Sequence, residues 1–224
     1  MVDFSTSLSF LWDYRNALLT GLLNTLHFTL LGLAIGLAIG FSVAAIRQMA
    51  HPVFAAIARG YVEIFRGTPV LIQLFWFFFC LPAILGIEIG NEFSTIATLS
   101  LYMGAISSES FRSALKSIGA EQRDACIALG LPQRVSLAYV ILPQTVMRAV
   151  PTLLSNCVTL FKESALVSAV GMADLMYQGQ MIADATARPV EILTATAVIY
   201  FIIAFSLTRI VTFYEQGFLS KMKL

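Results

Sequence analysis

The sequence has 224 residues, of which 58% are hydrophobic and only 12% are charged, and its mean hydropathy is +0.82. Soluble domains carry about 25% charged residues, so this composition excludes an ordinary soluble globule. Disordered chains combine low hydrophobicity with high net charge, so disorder is excluded as well. The formal net charge of +1 gives no sign of a nucleic acid partner. We therefore expect an integral membrane protein surrounded by the lipid bilayer.

Five apolar runs bounded by charged residues predict five transmembrane helices, since one span needs about 20 apolar residues. The runs cover about 18–46, 69–85, 93–113, 151–171 and 191–214. The second run begins after Thr68, a candidate N-cap, and Pro69, which suits a first helical turn. A polar stretch at 114–150 separates the third and fourth runs. The predicted fold class is an all-α integral membrane protein, with 1–17 and 215–224 outside the transmembrane domain 18–214.

The distribution of Lys and Arg predicts the orientation of the spans. With five spans, most of the 14 basic residues fall on one side, namely Arg47, Arg59, Arg66, Arg112, Lys116, Arg123, Arg134, Arg148, Arg209, Lys221 and Lys223. Because positive residues concentrate on the cytoplasmic side, we expect the N-terminus outside and the C-terminus and the 114–150 loop inside. Four or six spans would scatter the same charges over both faces.

The first run carries Gly32, Gly36 and Gly40, one small residue on each successive helical turn. Such a face lets another helix approach closely. We interpret it as a surface for packing within the chain rather than as a dedicated dimerisation motif.

The 114–150 loop is predicted to form a short helix, a break at Gly130 and a second short helix that begins at Pro132. Ala125, Ala128 and Leu129 form an apolar ridge at helical spacing on the first of these helices. Such a ridge needs a hydrophobic groove in which it can be buried. The alternative is an interfacial helix that rests on the bilayer.

This loop resembles the EAA loop of ABC-importer permeases, whose pattern is Glu-Ala-Ala, three residues, Gly, nine residues and Ile-x-Leu-Pro. The pattern falls on Asp124-Ala125-Cys126, Gly130 and Val140-Ile141-Leu142-Pro143. Asp replaces Glu, Cys replaces the second Ala, and Val replaces Ile. Three further segments are similar to permeases for polar amino acids, namely Arg66-Gly67-Thr68-Pro69, Pro143-Gln144 and Phe161-Lys162-Glu163-Ser164.

The resemblance implies the permease subunit of a type I ATP-driven importer in the bacterial cytoplasmic membrane. Its expected partners are two cytoplasmic ATP-binding subunits, a second permease subunit, identical or homologous, and an extracytoplasmic amino-acid-binding protein. In that family the loop docks into the ATPase, which gives roles to Asp124, Ala125, Cys126, Ala128, Leu129 and Gly130. The sequence contains no Gly-Lys pair and hence no phosphate-binding loop, so we expect no catalysis by this chain. We expect no cofactor and no metal, since the three cysteines share no ligand spacing.

Polar residues on the fourth run form a stripe at helical spacing that consists of Ser155, Asn156, Thr159, Lys162 and Glu163. Charges at mid-membrane depth usually face a cavity. The stripe is either a polar packing seam or the lining of a substrate path, and the resemblance favours the path. Lys162 and Glu163 would then bind the carboxylate and the ammonium of an amino acid, although side chains 100° apart need not both face inward.

On the third run, Glu109 is a further candidate for binding the substrate ammonium. The alternative is a local ion pair with Arg112 at i, i+3. The runner-up function for the chain is a stand-alone, gradient-driven carrier or channel, which leaves the 114–150 loop without a partner. The sequence does not identify the amino acid transported.

Overall fold

A computed structural model describes residues 12–49 and 51–222, and the side chains of residues 12–48 and 51–214. Within these ranges every regular element is helical, which confirms the all-α fold class. The helices are α1 (Arg15–Met49), α2 (Pro52–Gly67), α3 (Val70–Leu85), α4 (Asn91–Lys116), α5 (Ala120–Ala128), α6 (Gln133–Val170), α7 (Leu175–Thr186) and α8 (Pro189–Met222).

By length and apolar composition, three of the described helices can cross a membrane, namely α1, α6 and α8. The α2–α3 pair, bent by 109°, would make a fourth span if it is counted as one. α4 has 26 residues, about 39 Å at 1.5 Å per residue, and is rich in Ser and Thr. Each predicted span therefore falls on a helix, and the count of five stays a prediction.

Of the predicted segment 1–17, residues 1–11 lie outside the described residues, whereas α1 begins at Arg15. α8 extends into the predicted tail 215–224, of which residues 223–224 are not described.

α4 is the central helix, and α1 packs along it through the predicted small-residue face. A Cβ atom added to Gly36 would lie 2.5 Å from the Cβ of Met103, and one added to Gly40 would lie 2.6 Å from the Cβ of Ser107. The glycines allow the two backbones to approach closely because they have no side chain. The interpretation of this face as packing within the chain is confirmed.

The sharp bend between α2 and α3 is held by a side chain of α3. The Gln73 amide Nε2 donates to the carbonyl oxygens of Phe65 and Thr68, at 2.9 and 3.0 Å, and to the Thr68 hydroxyl at 2.9 Å. Carbonyl groups at the end of a helix lack partners within the helix, and the amide supplies one. Thr68 ends α2, and Pro69 is the N-cap of α3 without a side-chain cap bond. The prediction of Thr68 as the N-cap was therefore wrong.

α6 runs through the predicted boundary at residue 151 without a break. The segment after Pro132 is therefore the beginning of the fourth span rather than a separate short helix. A π-helical turn at Ser136–Ile141 precedes Pro143, and Pro151 lies inside the helix. A π turn shifts the register of the backbone hydrogen bonds. A proline, which has no N–H to donate, is tolerated at such a shift. The helix changes to 3-10 geometry at Ser164–Val170.

Two larger apolar clusters form the core of the described chain, together with a smaller one that contains Phe111, Ala114 and Ala149. One surrounds Leu74, Leu99, Met103 and Leu160, where α1, α3, α4 and α6 meet. The other contains Leu18, Leu175, Ile182, Ala183 and Ile192, and joins α7 to α1 and α8. α7 was not predicted, and it covers the end of α1 that is opposite to the 114–150 loop.

Candidate functional site: a polar face on α6 and an apolar ridge on α5

α6 carries a polar face that the rest of the described chain leaves open. Thr152, Ser155 and Lys162 are exposed and Thr159 is half-buried. The spacings of 3, 4 and 3 residues place them on one side of the helix. The hydroxyl of Thr159 donates to the carbonyl oxygen of Ser155 at 3.2 Å, so it is satisfied within its own helix. We call Thr152, Ser155, Thr159 and Lys162 the open face of α6.

The two charges predicted to bind substrate point in different directions. Lys162 is exposed on the open face, whereas Glu163 is half-buried and interacts electrostatically with Tyr102 of α4. Neither side chain forms an ion pair or a side-chain hydrogen bond with another described residue. The 3-10 segment begins directly after Glu163. A change from α to 3-10 geometry often marks a hinge, so the charges lie at a point where the helix can adjust.

Asn156 belongs to a packing seam between α6 and α4. Its Nδ2 donates to the Ser110 hydroxyl at 2.9 Å, and that hydroxyl donates to the carbonyl of Ile106 at 3.2 Å. The predicted stripe of five residues is thus divided. Ser155, Thr159 and Lys162 remain open, and Asn156 contacts the protein interior.

Glu109 is engaged by three arginines from three helices. Its Oε2 accepts from Arg47 of α1 at 3.0 Å and lies 3.9 Å from Arg66 of α2. Its Oε1 accepts from Arg112, with a distance of 2.7 Å to Nε. The predicted i, i+3 ion pair with Arg112 is confirmed. Because both oxygens already face guanidinium groups, Glu109 is poorly suited to accept an ammonium group.

α5 and the residue after it present an apolar surface that no described residue covers. Ala125, Ala128 and Leu129 are all exposed, Leu129 at 76%, and Ile127 extends the surface at 73%. Asp124 is exposed beside them, whereas Cys126 is buried and anchors the helix to the body of the protein. The apolar ridge therefore faces away from the chain.

Gly130 ends α5 in a left-handed conformation, with φ +67°. Its N–H donates to the carbonyl of Ile127 at 2.9 Å, and the N–H of Leu131 donates to that of Cys126 at 3.0 Å. This pair of bonds is a Schellman motif, which requires positive φ at the position that glycine usually occupies. The predicted break at Gly130 is confirmed.

The comparisons with known proteins agree on one family. Residues 32–220 match the model of the binding-protein-dependent transport system inner membrane component. The chain belongs to this family. It is therefore a multi-pass membrane permease subunit and not an enzyme.

Several curated relatives are permeases of amino acid importers. The glutamine transport system permease protein GlnP of Escherichia coli (strain K12) is 34% identical over 209 residues, which cover 93% of this chain and 95% of GlnP. The arginine transport system permease protein ArtQ of Bacillus subtilis (strain 168) is 34% identical over 157 residues, which cover 70% of this chain and 72% of ArtQ. A crystal structure of an amino acid ABC transporter with histidines superimposes with a TM-score of 0.90, at 28% identity, and the match covers 97% of this chain and 99% of that chain.

The permease also contains a buried polar network that sequence reasoning missed. Asp174 is fully buried at the N-cap of α7, where Oδ1 accepts from the N–H of Tyr177 at 2.9 Å and Oδ2 accepts from the Tyr200 hydroxyl at 3.0 Å. The Thr25 hydroxyl accepts from the N–H of Leu175 at 3.0 Å. Burial raises the pKa of Asp174 from 3.8 to about 6. An Asp before an apolar segment is an N-cap signal that would have located the start of α7.

Proposed function

We propose that this permease imports a polar amino acid through five spans across the bacterial cytoplasmic membrane, with its N-terminus outside. It works with two ATP-binding subunits, a second permease subunit and an extracytoplasmic binding protein. Relatives named as glutamine and arginine permeases support the class of substrate. The stand-alone carrier is not favoured, since the relatives are subunits of transport systems.

The observation that carries the proposal is the open face of α6. This helix is long and apolar enough to cross a membrane, yet Lys162 and three hydroxyl side chains on one side have no cover within the described chain. A charged side chain in contact with lipid is costly, so such residues face a bundle interior or a water-filled cavity. The open face therefore faces the second permease subunit, and the substrate passes between the two subunits.

The chemistry of the face fits a zwitterion. A substrate carboxylate needs a cation, which the unpaired Lys162 on the face supplies. A substrate ammonium needs an acceptor, which Glu163 supplies from beside the face, on the side toward α4. The hydroxyls of Ser155 and Thr159 can bind polar groups of the substrate along the same helix. Asn156 and Glu109, already engaged by Ser110 and by arginines, shape the path rather than contact the substrate.

Coupling to ATP hydrolysis uses the exposed ridge of α5. Ala125, Ala128 and Leu129 bury their apolar surface in a groove of the ATP-binding subunit, and Asp124 contacts the rim of that groove. The Schellman motif at Gly130 fixes the angle between α5 and α6. Because α6 continues without a break from Gln133 into the open face, closure of the ATPase moves the substrate path through one continuous helix.

The variants Lys162→Met and Glu163→Gln test the substrate role. Removal of one partner of a buried charged contact costs about 2–5 kcal/mol, so uptake should fall about tenfold or more. Assembly and basal ATPase activity should stay intact, because neither side chain has an ion pair in the described chain. Lys221→Met in the C-terminal tail and Glu191→Gln in the first turn of α8 are matched controls for the loss of charge.

Three results are informative. Lost uptake with intact assembly supports the substrate path. Full uptake in both variants refutes it. Loss of assembly indicates a packing seam, since a charge left unpaired in a dry environment destabilises the complex. Copurification of an ATP-binding subunit with the wild-type chain separates the importer from a carrier that functions alone.

A further inference from the structure

A cavity of about 490 Å³ lies where α1, α2, α4, α5 and α6 meet, on the same side of the molecule as the coupling helix. It is separate from the open face of α6, and the transport role described above does not use it. Five basic side chains line it, namely Arg47, Arg59, Arg112, Lys116 and Arg123. None of its described lining residues is acidic. The cavity therefore carries a concentrated positive charge inside a membrane protein whose formal net charge is only +1.

Most of this charge is left without a counter-ion. Arg47 and Arg112 share the carboxylate of Glu109. Arg59, Lys116 and Arg123 form no ion pair or side-chain hydrogen bond with any described residue. Like charges that converge without a counter-ion repel one another, so an anion in the cavity would be stabilised by several of them.

The remaining walls of the cavity are apolar. Phe41 of α1 and Leu142 of α6 are 39% and 37% exposed, and they flank buried Phe111. A soluble anion such as inorganic phosphate would need only the basic side chains for binding and would make no use of the apolar walls. Phe41 and Leu142 belong to two helices that are long and apolar enough to cross a membrane, so an apolar wall at this position fits an acyl chain instead. Basic pockets between transmembrane helices on the cytoplasmic side suit the head groups of anionic lipids.

We propose that this cavity binds an anionic phospholipid of the inner leaflet, with the phosphate among Arg59, Lys116 and Arg123 and an acyl chain along Phe41 and Leu142. The assignment to the inner leaflet rests on the proposed orientation of the permease. Because Arg123 lies on α5, the bound lipid links the coupling helix to the membrane-embedded helices. The lipid thereby orders the surface that docks on the ATPase.

Native mass spectrometry of the purified full-length chain tests this proposal. The protein is exchanged into mixed micelles that contain either phosphatidylglycerol or phosphatidylcholine, and the bound lipid is counted. Wild-type protein should retain phosphatidylglycerol in preference to phosphatidylcholine. Arg59→Gln/Lys116→Gln should lower this retention about tenfold or more, because each basic residue near an anionic lipid contributes about a factor of five. The charge-preserving variant Arg59→Lys/Lys116→Arg should retain it.

Arg209→Gln is the positional control, since Arg209 stacks on Phe205 of α8 and does not line the cavity. Equal retention of the two lipids, or an equal loss with Arg209→Gln, would overturn the proposal. Displacement of the lipid by millimolar inorganic phosphate would identify a soluble anion as the ligand and would also overturn it. Because the measurement does not depend on transport, its result tests lipid binding independently of the proposed role of α6 in substrate transport.

Discussion

At the scale of single residues, Asp174 shows how burial alters a carboxyl group. It is fully buried, and its pKa of about 6 lies above the ordinary value of 3.8 because burial disfavours the charged form. At a pH between these two pKa values, the carboxyl group of Asp174 is largely protonated in the folded protein and largely ionised in the unfolded chain. The contribution of Asp174 to folding stability therefore decreases as pH rises from about 4 to 6 and is lost above that range, with a total effect on the order of 3 kcal/mol.

Asp174→Asn should abolish this pH dependence. The amide keeps an oxygen that can accept from the N–H of Tyr177, so the N-cap of α7 is preserved. Thermal unfolding in detergent at pH 5.0, 6.0 and 7.5 should show a falling midpoint for the wild type and a constant one for the variant. Parallel pH profiles for the two proteins would show that another group is responsible.

The residues of the candidate site were predictable to different degrees. Gly130 and the ridge around Ala125 stand out in sequence because helical spacing and glycine act locally. The environment of Asp174 does not, since its network brings Thr25 against Leu175, 150 positions away. The division of the α6 stripe also escaped prediction, because only the contact with Ser110 distinguishes Asn156 from its neighbours.

At the scale of elements, the α1–α4 contact depends on glycine. Gly36→Ala places a Cβ atom 2.5 Å from the Cβ of Met103, an atom next to the backbone that cannot rotate away. The helices must separate, and overpacking of this kind costs about 1–3 kcal/mol. Gly60→Ala is the matched control, since no atom lies within 4 Å of its added Cβ and alanine favours a helix. The thermal midpoint should fall for Gly36→Ala only. A fall of equal size in both variants would contradict close packing as the cause.

The angle between α5 and α6 depends on Gly130. Gly130→Val forces a β-branched residue into positive φ and should distort the Schellman motif, while Gly119→Val changes a glycine whose φ of −59° any residue adopts. Gly130→Val should leave the protein inserted but uncouple ligand-stimulated ATP hydrolysis from uptake. Gly119→Val should preserve both activities. Normal coupling in Gly130→Val would refute the role of the motif.

The ridge itself is tested by Ala125→Arg. A cation at the centre of the apolar surface would have to be buried in the ATPase groove without a partner, which is costly. The variant should lose copurifying ATP-binding subunit while the permease remains in the membrane. If the alternative of a helix resting on the bilayer holds, the subunit stays bound in normal amounts.

Helices whose ends are marked by charged residues could be predicted from the sequence. Helices whose position depends only on packing against other helices could not. α2 buries Ala55, Ala58 and Val62 at helical spacing, a periodic signal that the charged residues within the same helix, Arg59, Glu63 and Arg66, obscured. The predicted start of the fourth span is residue 151, although α6 begins at Gln133. Pro143 and Pro151 lie inside the helix, but a proline taken by itself indicates a helix end. The π turn before Pro143 accommodates the first of them, and a change of hydrogen-bond register is not visible in a single sequence.

At the scale of the whole molecule, the sorting of charges and the packing around α4 support one topology. The basic cluster around Glu109 joins the ends of α1, α2 and α4, so these ends lie on one side of the protein. α7 lies against the opposite part of α1, where the Asn24 amide donates to the carbonyl of Ala173 at 2.7 Å. The positive-inside rule predicts that the first side is cytoplasmic.

Site-directed labelling decides between five spans and four. In a background without Cys80, Cys126 and Cys157, single cysteines at Glu92, Gln122 and Lys221 are exposed to an impermeant maleimide in intact spheroplasts. Five spans place residue 92 outside and residues 122 and 221 inside, so only the first should react until the membrane is opened. If the α2–α3 bend were re-entrant and the N-terminus were still outside, the chain would cross four times and all three assignments would reverse. Labelling of residues 92 and 221 from the same side would contradict both topologies, because three crossings, α4, α6 and α8, separate them.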